Sequence, residues 1–150
     1  MDPFDIPKFK TPESYEQFAN NVQEKSPDRA REARRRAIEL RAELHGAKTQ
    51  VEREALEAVF AYERMLWFKH GKKLRASRTW AMIERRGIIE AVERVVTARD
   101  ETVAYKVLVE NGLEDKAFEA VVLRNPQSFS AEAVSASKAR LERLKNEPET

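Results

Sequence analysis

Apolar residues along this chain recur at intervals of three and four, the period of a helix with one buried face, and the positions between them are crowded with charge. Ala30, Ala33, Ala37, Leu40 and Leu44 form a narrow stripe of mostly small residues on a helix predicted over 27–45, whose other faces are filled with Arg and Glu. Val51, Ala55, Val59, Tyr62 and Leu66 make one stripe of a helix predicted over 50–70, and Leu56, Phe60 and Trp67 make a second beside it. An apolar face that wide implies more than one neighbour, which places this helix at the centre of the fold.

Shorter amphipathic segments follow. They cover 79–86 (Trp80, Ile83), 88–97 (Ile88, Ile89, Val92, Val95, Val96), 101–111 (Val103, Val107, Leu108), 114–124 (Ala117, Phe118, Val121, Val122) and 131–146 (Val134, Leu141, Leu144). The β-branched runs "AVERVV" and "AVVLR" suit strands by propensity, but their spacing and flanking caps favour helices.

Local signals set the boundaries. Gly46, Gly71, Gly87 and Gly112 each fall where a helical pattern breaks, the place where a left-handed residue ends a helix. Thr11-Pro12-Glu13 and Ser26-Pro27-Asp28 each offer a hydroxyl cap, a proline at the first helical position and an acid near the positive end of the dipole. The first opens a helix predicted over 12–24, with Tyr15, Phe18 and Val22 on one face. Thr49 with Glu52 makes a capping box, and Ser130 between Phe129 and Val134 makes a cap with a hydrophobic staple. Asp100 and Thr102 compete for one further cap.

Continued at the same steps, the stripe from Ala30 to Leu44 reaches Ala47, Val51 and then Glu54, so its register fails just after Gly46. Two helices joined as a hairpin over 27–70 therefore fit better than one long coiled-coil helix. The expected fold is all-α, with that hairpin packed against a cluster of short C-terminal helices. Residues 1–10, with Pro3, Pro7 and apolar Phe4, Ile6 and Phe9, read as an extended arm; 11–146 read as a single helical domain; 147–150 read as a frayed tail.

Composition narrows the setting. An apolar content of 41% in periodic blocks separates the chain from disordered sequences despite 36% charged residues. The absence of cysteine excludes a disulfide scaffold, a thiolate metal site and a cysteine nucleophile. The start "MDPFDIPKFK" carries acids where a secretory leader needs basic residues, and no stretch approaches the roughly 18 apolar residues of a membrane helix. A soluble, cytoplasmic protein with no membrane partner is expected.

Charge is unevenly placed. Residues 69–86 hold seven basic side chains, Lys69, Lys72, Lys73, Arg75, Arg78, Arg85 and Arg86, against the single acid Glu84, so this window carries +6 in a chain whose net charge is +2. Such a window suits phosphate neutralisation, and Trp67, Phe68 and Trp80 beside it suit either base stacking or the core. A second basic run, Arg34-Arg35-Arg36 with Arg31 and Arg41, extends the footprint if it folds alongside, though its acids Glu32, Glu39 and Glu43 also fit an ordinary solvated helix. The segment 103–122 has the lengths of a helix-turn-helix, but Leu108 stands where close packing wants a small residue. Glu114, Asp115 and Glu119 on the second helix would be repelled by DNA, so it reads as a packing hairpin.

Signatures of catalysis are missing: no Gly-rich phosphate loop and no His-Glu-x-x-His pair occur. His45 and His70 each sit in the last turn of a predicted helix, where a cation suits the dipole. Glu63 lies two turns before His70, but two ligands are too few for a metal. No catalytic residue, metal or cofactor is assigned. The expected role is a small helical binding or adaptor protein that engages nucleic acid or another polyanion through 69–86 without sequence readout. The alternative is a protein-interaction or homodimerising module built on the stripe from Ala30 to Leu44.

Overall fold

The computed structural model describes residues 2–98 and 105–146. All regular structure among them is helical. The elements are α1 (Pro12–Val22), α2 (Pro27–His45), α3 (Gln50–His70), α4 (Ser77–Arg86), α5 (Ile88–Thr97), α6 (Tyr105–Glu110), α7 (Phe118–Arg124) and α8 (Ala131–Lys145), with 3-10 turns at Glu114–Lys116 and Pro126–Ser128. The competing caps Asp100 and Thr102, the start of the segment predicted from 101, and the tail 147–150 lie outside the described residues. No helix among those residues is long and apolar enough to cross a membrane.

The chain forms two compact units, Met1–Gly46 and Ala47–Thr150. The hairpin expected over 27–70 is thereby divided: its first helix pairs with α1 inside the first unit, and its second is the centre of the other.

In the first unit Thr11 Oγ1 accepts the backbone N–H of Ser14 and starts α1, with Pro12 at its first position. The α1–α2 hairpin closes around Tyr15, Ala19, Ala30, Ala33 and Ala37, joined by Ile6 of the arm. Small side chains allow the two helices to approach closely. Phe9 of the arm then lays its ring edge-on to Tyr15 at 5.1 Å, so the arm is packed onto the hairpin. Arg29 Nε donates to Phe4 O at 3.0 Å and pins the arm's backbone. At its start Asp2 pairs with Arg36, which holds the Asp2 carboxyl below its ordinary range.

In the second unit the capping box at Thr49 forms with a shift of one residue. Thr49 Oγ1 accepts from Glu52 N, and the Glu52 carboxylate accepts from Lys48 N. As its double stripe implies, α3 packs against α5, α6, α7 and the turn at Glu114–Lys116. Ala55, Ala58 and Val59 join Val92, Val96, Phe118, Val121, Val122, Phe129 and Ala133 in one core. Ser130 Oγ caps α8 through Ala133 N at 3.1 Å, and the staple residues Phe129 and Val134 both pack on that core.

The segment predicted as one helix over 114–124 is split, because Ala117 adopts an extended backbone between the 3-10 turn and α7. Ion pairs to α3 anchor both sides of the break: Lys116 to Glu57 at 2.7 Å and Arg124 to Glu54 at 2.6 Å. Glu119 and Arg140 form a buried pair at 3.0 Å, and Arg140 also donates to Val95 O and Ala98 O at the C-terminal end of α5. One cation thus answers both a carboxylate and the negative end of a helix. Beside it, Ser137 is fully buried and its Oγ has no hydrogen-bond partner among the described residues.

Candidate nucleic-acid interface

The basic window spans the end of α3, a six-residue connection over 71–76, and the whole of α4. Gly71 ends α3 at φ 73°, a left-handed conformation that costs any L-residue, and its N–H returns to Trp67 O at 2.8 Å. Lys69 and His70 occupy the last turn, where positive charge offsets the dipole.

The next helix needs a start, and its own residues do not supply one. Its N-cap is Ala76, whose side chain can accept nothing. Glu63, two turns back from the end of α3, takes that role: its Oε2 accepts the Ala76 N–H at 2.7 Å. The same oxygen accepts the indole N–H of Trp80 at 2.8 Å. Charge-assisted bonds of this kind contribute about 1.5–3 kcal/mol each. Trp80 further packs its ring on Phe60 of α3 at 5.4 Å, and with Ile83 it lies against the core.

All seven basic side chains of the window are exposed. Arg86 pairs with Glu90 at 3.4 Å, whereas Lys69, Lys72, Lys73, Arg75, Arg78 and Arg85 have no carboxylate within ion-pair distance among the described residues. Arg78 and Arg85 stand seven residues apart, on one face of α4.

The aromatics serve these cations rather than an open stacking surface. Lys73 Nζ lies 4.8 Å from the Trp67 ring centre, and the guanidinium of Arg75 lies 5.1 Å from that of Trp80. Arg64 covers both Trp67 and Phe68, at 4.0 Å and 4.3 Å. Quadrupolar attraction to a ring face steadies a cation without neutralising it, which leaves its charge for an outside partner.

The second basic run is used differently. Arg31 pairs with Asp28, Arg36 with Asp2 and Glu32, and Arg41 with Glu13 and Glu16. Arg34 is buried and bonds to Gln23 and Asn20, and that burial pushes its pKa down. These arginines hold the first unit together, and the two basic segments fall in different units.

The stripe proposed for self-association is likewise consumed. Ala30, Ala33 and Ala37 are buried within the first unit with Leu40 packed against them, and only Leu44, 64% exposed, faces solvent. Glu63 is committed to two N–H donors. No group of three metal-ligating side chains occurs among the described residues. Sequence reasoning missed the Glu63 contacts, and the one local sign of them was a helix opening on alanine.

No protein-family model, no curated protein and no solved structure matches the chain, so its functional reading rests on the placement of these residues.

Proposed function

We propose that this chain is a small non-enzymatic helical binding protein, and that residues 69–86 hold the phosphate backbone of nucleic acid without reading its sequence. One observation carries the reading: six neighbouring cations stand exposed with no acid against them among the described residues, in a protein that pairs most of the arginines of its first unit. Uncompensated Lys and Arg bind polyphosphate by releasing its condensed counterions, a term indifferent to base identity. Aromatic rings occupied by Lys73, Arg64 and Arg75 fit the same reading, since they support charge instead of offering faces for bases. Protein association through the Ala30–Leu44 stripe has less support, because its alanines are already covered by α1 and the arm.

The test is fluorescence anisotropy with a labelled DNA duplex of arbitrary sequence. Six phosphate contacts should cost about a thousandfold in affinity between roughly 50 and 200 mM salt. Permuting the sequence should leave affinity unchanged. No binding at the lower salt concentration ends the proposal.

A further inference from the structure

Within that interface, and resting on the reading of it as a phosphate surface, we infer that Glu63 is the positioning residue that holds the cations in place. Its location is otherwise hard to rationalise. An acid set among basic side chains lowers the positive potential they create and opposes the approach of a polyanion. On charge alone, the interface would be better without it.

The connection it holds has few other anchors. Lys72, Lys73 and Leu74 make no hydrogen bond to other described residues. The chain regains fixed contacts at Ala76, which is buried and donates to Glu63, and at Trp80, which donates to the same oxygen. Two donors separated by one turn of α4 converge on one atom of α3, which fixes both the position and the rotation of α4. The basic residues that depend on that clamp are Arg75, which lies over the Trp80 ring, Arg78 on the other side of Ala76, and Arg85 two turns along. A preorganised array loses less freedom on binding than a loose one, so the clamp raises affinity although its charge lowers it.

The two effects of Glu63 have opposite signs and separate in two substitutions. Glu63→Gln keeps a carbonyl oxygen where both N–H groups point and removes the charge. Glu63→Ala removes charge and acceptor together. If Glu63 positions the cations, E63A binds a labelled duplex at least about fivefold more weakly than wild type although the protein has become more positive, while E63Q binds as tightly or more tightly. If Glu63 matters only as a charge, both variants bind more tightly.

Trypsin supplies a readout without nucleic acid, since it cuts after Lys72, Lys73 and Arg75 wherever that backbone is free to extend. Cleavage there should speed up in E63A and stay at the wild-type rate in E63Q. Trp80→Phe, which keeps a ring on Phe60 but deletes one donor and no charge, covers the case in which E63A fails to fold. It should weaken duplex binding and speed cleavage in the same sense. The inference is overturned if E63A binds as tightly as wild type, if E63Q and E63A shift together, or if cleavage at the three sites is unchanged in E63A and Trp80→Phe. A wild-type protein that ignores DNA, yet whose cleavage follows the predicted order, refutes the interface and leaves the clamp standing.

Discussion

The buried pair between Glu119 and Arg140 gives a severe test of how the second unit is built. Their side chains are 2% and 6% exposed, so neither charge can find water if its partner is removed. Removing one member of such a pair typically costs about 3–5 kcal/mol, because the survivor remains as an unmatched buried charge. The two single losses are not equivalent here. Glu119→Leu leaves the Arg140 guanidinium bonded to Val95 O and Ala98 O, which softens the penalty. Arg140→Met strands the Glu119 carboxylate and at the same time frees the carbonyls of Val95 and Ala98 at the end of α5, so it should be the worse. Replacing both by Leu and Met removes both charges, and the two carbonyls alone should hold the loss to about 2 kcal/mol. Urea titration followed by tryptophan fluorescence isolates the right transition, since Trp67 and Trp80 both lie in the unit that contains the pair. A single variant that loses less than about 1 kcal/mol, or a double variant less stable than Arg140→Met, would refute the account.

Two further outcomes follow from the same core. Burial, with smaller contributions from Glu114 and Glu119, raises the pKa of Tyr105. The neutral phenol is therefore favoured by the fold: its contribution is fully present below the ordinary tyrosine value of about 10 and is lost as pH rises through the raised one. The urea midpoint should fall more steeply from pH 9 to 11 in wild type than in Tyr105→Phe, and parallel falls would count against it. Ser137 buries a hydroxyl that finds no partner among the described residues, so Ser137→Ala should leave stability unchanged or raise it by up to about 1 kcal/mol. A clear loss in chemical denaturation would mean that the hydroxyl is bonded after all.

Most helix boundaries were legible because the signals that set them are local. Pro27–His45, Gln50–His70 and Ile88–Thr97 match the ranges expected from Thr49, the glycines and the 3.6 period. Where a boundary depends on a distant side chain, the pattern misled. The apolar spacing of Ala117, Phe118, Val121 and Val122 continues a helix straight through Ala117, but the break is held by Glu57 and Glu54, about sixty and seventy residues away in sequence from their partners. The start of α4 was placed two residues late for the same reason, its cap being Glu63 on another helix.

Charge was half legible. The excess in 69–86 was countable, whereas the neutralisation of Arg41 by Glu16, twenty-five residues upstream, needed the α1–α2 hairpin to be known. Pairing α2 with α3 followed from their adjacency in sequence, but the alanines of α2 fit Tyr15 and Ala19, and a short helix with few apolar residues gave little notice of that.

The break at Gly71 bears on the interface in another way. Side chains on an unbroken α-helix climb like a spiral staircase at about 100° per step, so Arg78 would stand half a turn round the cylinder from Lys69 and the two would look in opposite directions. Once the helical phase is interrupted, the angular relation between the two groups of cations is no longer dictated by helix pitch. Lengthening or shortening the stretch 72–75 would therefore retune the pitch at which the protein meets its partner, with neither helix having to rewind.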